Sequence, residues 1–181
     1  MEKHSTLCST IPLTNSLWDF ALQVYSTEEV EQQSLQLQDE YHANINIILW
    51  CCWLEAEGIQ LSVNLLDEVL ITIDAVSLQT VAKLRDVRRV LLESGAFTKV
   101  QAQSVKKHIL NAELMIEKVL LHRLQDLTCR FVESKEYKDL SAGDDVLSLE
   151  YYLNFISVPD ARKNAGLMKN SCRRYTLQSA G

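Results

Sequence analysis

Apolar residues recur along this chain at intervals of three and four, in blocks long enough to be helices. Trp18, Ala21, Leu22 and Tyr25 fall at i, i+3, i+4 and i+7, with Phe20 and Val24 widening the stripe and Asp19 and Gln23 on the other side. Ser16, followed three residues later by Asp19, carries a capping-box pattern that sets the start of this helix. Ser26-Thr27-Glu28-Glu29 repeats the pattern and predicts a second helix to about Tyr41, its acidic first turn matched to the helix dipole. From about residue 44 to 57 nearly every position is apolar, so a helix there has little face to give to water and is expected at the centre, with Gly58 as a left-handed cap. Ser62-Val63-Asn64 offers caps for a fourth helix near Leu65. Over 65–93 the pattern fits one helix or two, with Ser77 as the candidate break, and Gly95 closes the region. The longest stripe begins at Thr98 or Ser104 and runs through Val105, Ile109, Ala112, Ile116, Val119, Leu120, Leu124, Leu127 and Phe131, which predicts one long helix near residues 98–134.

The remaining segments read differently. The polar stretch 135–145 is expected to be a linker into a short helix at about 146–156, which Pro159 ends. Residues 1–13 are expected to form a flexible arm, residues 14–158 a single helical domain, and residues 159–181, where little periodicity is evident, a disordered tail. Five glycines and two prolines are too few to punctuate many short strands. The expected fold is therefore all-α, a compact bundle of about five to seven helices.

Charge changes this picture. Residues 1–82 hold one cation, Lys3, and twelve carboxylates, whereas residues 83–181 hold seventeen cations and twelve carboxylates; the nets of −11 and +5 recover the overall −6. The two halves are expected to attract each other, with the acidic N-terminal helices packed on a basic surface of residues 83–130, or to attract different partners. An acidic pI near 5.2 argues against non-specific binding to nucleic acid or an anionic membrane. The most apolar run, Ile45 to Leu54, is shorter than the roughly 18 residues of a membrane span, and the N-terminus has no secretory pattern, so a cytosolic protein is expected. The five cysteines lack a Cys-x-x-Cys pair and read as reduced, buried thiols.

The block Leu17-Trp18-Asp19-Phe20-Ala21-Leu22-Gln23-Val24-Tyr25 resembles an uncharacterised bacterial family, domain of unknown function 2390. The resemblance continues through Leu37-Gln38-Asp39, Asn44 to Leu54, Leu84-Arg85-Asp86-Val87-Arg88-Arg89 and Ala112-Glu113-Leu114-Met115-Ile116-Glu117, and covers about residues 16–125. It implies a small, cytosolic, all-helical protein and assigns no activity, cofactor or catalytic residue. Ile73-Asp74 departs from the family pattern, which has a tryptophan-arginine pair near that point, so a cation is missing here.

Among candidate chemistries, Arg85, Arg88 and Arg89 stand out because their i, i+3, i+4 spacing puts three guanidinium groups on one side of a helix, able to clamp a phosphate or carboxylate. The plainer reading, and the preferred one, pairs them with Asp19, Asp39 or Glu40 of the acidic half, or with Asp86 and Glu93. Asp39 and His42 have a spacing that could supply two metal ligands, but no helical Glu-x-x-His pairs accompany them, and His42 reads as a helix-end residue. Glu113 and Glu117 are expected to face a basic surface. Asn46 shares a stripe with Trp50 and Trp53 and is expected to be partly buried, fixing register or lining a pocket. Asp144-Asp145-Val146-Leu147-Ser148 lacks the final acid of an Asp-Asp-x-x-Asp motif, and no Gly-rich phosphate loop, Gly-x-Ser-x-Gly or His-Glu-x-x-His is present.

No metal, cofactor or catalytic residue is expected. The leading expectation is a non-catalytic interaction or regulatory protein that applies Arg85, Arg88 and Arg89 to an acidic protein segment or a phosphorylated ligand. The alternative is a helical enzyme or small-ligand receptor with a pocket between the first three helices and the arginine-bearing helix, lined by Asp19, Asp39 and Asn46. Self-association through opposite charges is compatible with either, while nucleic acid would need a more continuous cationic face than Lys106-Lys107 provides.

Overall fold

The computed structural model describes residues 13–93, 95–134, 137 and 148–178, with the side chains of the last helix as far as Arg173. The expected arm over 1–13, beyond Leu13 itself, and the expected linker over 135–147, beyond Tyr137, lie outside the described residues. The chain is all-α, a multi-helix bundle with no strand among the described residues. Its elements are α1 (Leu17–Tyr25), α2 (Glu28–Tyr41), α3 (Ile45–Ala56), α4 (Val63–Val69), a π-helical turn (Leu70–Asp74), α5 (Ala75–Gln79), α6 (Val81–Glu93), α7 (Lys99–Val132), α8 (Ser148–Phe155) and α9 (Ala161–Gln178).

Helix α3 is the axis of the bundle, as its sequence demands. Every residue from Asn46 to Leu54 is buried, and α1, α2, α7, α8 and α9 all pack against it. Burying a large apolar side chain is worth roughly 1.5–3 kcal/mol, so this helix anchors the fold. The polar tips of its two tryptophans are satisfied: Trp50 Nε1 donates to Thr128 Oγ1 at 2.9 Å, and Trp53 Nε1 to the Asn15 carbonyl at 3.0 Å. The buried Tyr152 hydroxyl accepts from the Asn44 amide at 2.6 Å. Such pairing is what allows amphipathic aromatic residues into a dry interior.

Several helix ends follow the local signals. Ser16 Oγ accepts from the Asp19 amide and donates to the Asp19 carboxylate; Asn44 caps α3 through the Asn46 amide; Thr98 and Gln101 form a full capping box on α7. Gly58, at φ +67°, turns the chain away after α3 in a conformation that disfavours a side chain. The pattern at Ser26-Thr27 is different from expectation, because both hydroxyls donate back to the last turn of α1, to the carbonyls of Gln23 and Val24, and α2 has no side-chain cap. Residues 63–79 form an almost unbroken helical run interrupted by the π turn, and the break before α6 falls at Thr80 (φ −123°, ψ −79°) rather than at Ser77.

Three expectations are corrected. First, the tail is not disordered where it is described: Ala161, Ala165, Met168 and Cys172 are buried on α9, which packs against α1, α2, α3 and α8. Small residues give α9 a narrow apolar stripe that suffices because α3 and α8 meet it closely. Second, the long stripe of α7 is buried only toward its C-terminal end; Val105 and Val119 are exposed, and of the N-terminal portion through Val119 only Ala102 and Glu113 are buried. Third, the arginines of α6 do not pair with the acidic half. Their carboxylate partners lie on α7 and on α6 itself, as set out below, because α6 packs along α7. The halves do meet in the ion pair of Lys169 Nζ with Glu55 Oε2 at 2.6 Å.

Candidate functional site

On α6, three guanidinium groups leave one side of the helix as the spacing requires, and α7 meets two of them with carboxylates. Arg85 Nη2 donates to Glu117 Oε1 at 2.7 Å. Arg88 grips Glu113 with two bonds, Nε to Oε1 at 2.9 Å and Nη2 to Oε2 at 3.2 Å. The Glu113 side chain is only 7% exposed, against 28% for Arg88, so this forked pair sits at the edge of the interior. Arg89 donates to Asp86 at 2.7 Å in full view of solvent. Glu113 and Glu117 thus do face a basic surface, and Asp86 is a partner of the cluster, whereas Asp19 and Asp39 form no ion pair with it.

A guanidinium carries five N–H donors. The bonds above use one on Arg85, two on Arg88 and one on Arg89, so the carboxylates orient the groups without exhausting them. Burial pushes the Glu117 carboxyl above its ordinary range, and the charge and hydrogen bond of Arg85 only partly offset this.

Two depressions flank the cluster. The larger, an open groove of about 610 Å³, is lined by Arg85, Arg88 and Arg89 of α6 together with Asp39, His42, Asn44 and Asp74. Asn44 Nδ2 donates to Asp74 at 3.1 Å, and desolvation raises the Asp74 carboxyl above its ordinary value despite that bond. Asp86 and Glu93 of α6 also line the groove, so four carboxylates and three guanidinium groups share its surface. His42 closes α2 in the left-handed region at φ +57°, a position that imidazole tolerates better than branched side chains. Among the described residues no group of three or more His, Cys, Asp or Glu is placed to hold a metal ion.

The smaller depression, about 270 Å³, lies on the other side of Arg85, between α1, α3 and α7. Trp18, Leu49, Leu114 and Leu121 supply apolar walls, while Tyr25, Asn46 and Glu117 supply polar groups. Burial raises the Tyr25 hydroxyl above its usual value, with the carboxylates of Glu31 and Glu117 adding to the effect and Arg85 opposing it. Lys118 Nζ stands 5.0 Å from the centroid of the Trp18 ring, a cation–π contact that joins α7 to α1.

Of the sequence-derived pocket candidates, Asp39 lines the groove and Asn46 the smaller pocket, so the two lie in separate sites bridged by Arg85. Asp19 lines neither and is hydrogen-bonded to Ser16, the cap of α1. Tyr25 and Asp74 are pocket residues that the sequence reading does not mark, and Glu117, expected there to face a basic surface, also lines the smaller pocket. A signal exists for two of them, because Tyr25 and Glu117 belong to the same blocks that carry the family resemblance, and those blocks converge on the smaller pocket through Trp18, Asn46, Arg85 and Leu114.

Among the cysteines, 51, 52 and 172 are buried free thiols, and burial pushes the Cys51 thiol far up. Cys129 is disulfide-bonded, which corrects the reading of five reduced thiols; pairing depends on spatial proximity that sequence spacing does not give. No helix among the described residues is long and apolar enough to cross a membrane.

Comparison with known proteins gives one finding. A family model described as Protein of unknown function (DUF2390) matches residues 16–124, more than half of the chain. No curated protein and no solved structure matches. The chain belongs to the DUF2390 family.

Proposed function

Proceeding from a family without an assigned activity, we propose that this protein is a non-catalytic interaction protein that holds an extended, acidic segment of a partner protein in the groove beneath α6. The observation that carries the reading is the common wall: all three arginines line one open groove, and Glu117, Glu113 and Asp86 orient them while most of their donors stay unspent. The other lining residues narrow the choice of ligand. Asp39 and Asp74 line the same groove, so a compact dianion such as a phosphate group meets repulsion there. An extended segment can instead set its carboxylates against the arginines and its amides or basic side chains against the aspartates.

The test is a peptide-display selection on the purified full chain, followed by affinity measurements on the Arg89→Glu variant. Arg89 is 65% exposed and paired only with an equally exposed Asp86, so the variant keeps the fold. Selected peptides are expected to be rich in Asp and Glu, to bind less tightly as salt rises, and to lose about tenfold or more in affinity to Arg89→Glu. Peptides that bind wild type and Arg89→Glu equally would overturn the reading.

A further inference from the structure

The groove leaves the smaller pocket between α1, α3 and α7 without a role, and its polar groups are unusual. Asn46 is 6% exposed, and outside the helix's own backbone ladder its only hydrogen bond is made by its backbone amide, to the Asn44 side chain at 3.1 Å. Its own carboxamide makes none with any described residue. The fully enclosed side-chain polar atoms without a partner among the described residues belong to Ser34, Gln38 and Glu55; the Asn46 carboxamide instead reaches the open volume of this pocket. The Tyr25 hydroxyl, half-buried on the same pocket, also makes no hydrogen bond with a described residue. By contrast, the polar groups of Trp50, Trp53 and Tyr152 are all engaged. Asn46 and Tyr25 both line the same open volume.

The chemistry of the pocket selects among ligands. Its volume of about 270 Å³ falls just below the roughly 300–1,000 Å³ of sites for drug-sized molecules, so the occupant is small. Arg85 and Glu117, joined at 2.7 Å, cancel each other's charge at the rim. An anionic ligand here meets the Glu117 carboxylate, a cationic one meets the Arg85 guanidinium, and an uncharged one disturbs neither. Trp18 and Tyr25 provide aromatic surface, Leu49, Leu114 and Leu121 aliphatic surface. A carboxamide presents a donor beside an acceptor, and its complement is an acceptor beside a donor in one plane. We propose that this pocket binds a small, uncharged, planar ring that bears an amide-like edge, with the Asn46 side chain reading that edge and Trp18 and Tyr25 holding the ring.

The experiment is a titration of the full-length, nitrogen-15-labelled protein with three rings of similar size: 2-quinolone, which has the lactam edge; quinoline, which lacks the adjacent donor; and 2-naphthoate, which is anionic. 2-Quinolone is expected to bind about tenfold more tightly than the other two, the increment of one satisfied amide edge, and to shift the Asn46 side-chain amide and Trp18 indole signals. Asn46→Leu, similar in size and without the amide, is expected to reduce 2-quinolone to the affinity of quinoline while leaving amide signals remote from the pocket unchanged. Tyr25→Phe gives a second readout with the packing retained. Tighter binding of 2-naphthoate, equal binding of all three rings, or no binding by the folded protein at millimolar concentrations would each overturn the proposal. Arg89 lines the groove and not this pocket, so Arg89→Glu should leave 2-quinolone binding unchanged.

Discussion

The bundle around α3 and the hairpin formed by α6 with the first part of α7 are held together by different forces. Around α3, apolar burial is nearly complete, and the polar groups of Trp50, Trp53 and Tyr152 are paired. In the hairpin, α6 buries only Val81 and Leu91, while Val87, Val90, Val100, Leu114 and Met115 are half-exposed or more. What fixes α6 against α7 is a pair of ion contacts, Arg85–Glu117 and Arg88–Glu113. The difference teaches where rigidity is concentrated: burial makes the α3 bundle a cooperative body, whereas the hairpin, short of buried surface, opens at lower free energy and keeps polar groups available for ligands.

The largest effect belongs to the body. Trp50→Ala removes a fully buried side chain and the partner of Thr128, and should cost about 3–5 kcal/mol, read as a fall in denaturant midpoint by every probe. Next comes the hairpin. Glu113→Ala leaves Arg88 without its forked partner at a partly solvated site, and should cost about 1–3 kcal/mol. Its signature is local, with faster amide exchange in α6 and the first part of α7 and unchanged exchange in α3; equal acceleration in α3 would break the comparison between the two regions.

A smaller effect depends on pH. The folded-state carboxyl of Glu117 is raised above its unfolded value by burial, with Arg85 opposing, so the folded chain binds a proton where the unfolded chain does not. Its contribution is therefore unfavourable above the folded pKa and is relieved as pH falls through that value toward the unfolded one. Exchange of α6 amides, corrected for the intrinsic rate, should slow over that window in wild type and lose this component in Glu117→Gln. Smallest of all, Asp86→Asn breaks an exposed contact and should change stability by no more than about 0.5 kcal/mol.

Much of the fold was legible because helix grammar is local. The stripe Trp18, Ala21, Leu22 and Tyr25, the cap at Ser16, the all-round apolar α3 and the turn at Gly58 are set by neighbours within a few residues. Helix α9 was legible too, in the i, i+4, i+7, i+11 spacing of Ala161, Ala165, Met168 and Cys172, but small side chains gave that stripe little weight against its many cations. The candidate site was legible only in part. The spacing of Arg85, Arg88 and Arg89 put them on one face, while the identity of their partners depended on which helix lies alongside.

The sequence by itself determined most of the helices, several of their ends, the central place of α3 and the shared face of the three arginines, since each follows from periodicity and capping within a turn or two. Tertiary packing alone decided that α7 rather than the acidic N-terminal half meets Arg85 and Arg88, that Asp39 and Asn46 enter different depressions, and that the Asn46 carboxamide reaches open volume instead of a protein partner. Net charge acts over distances comparable with the whole molecule and so selects no particular neighbour, whereas an ion pair or a buried hydrogen bond exists only where helix packing brings two atoms within about 3 Å.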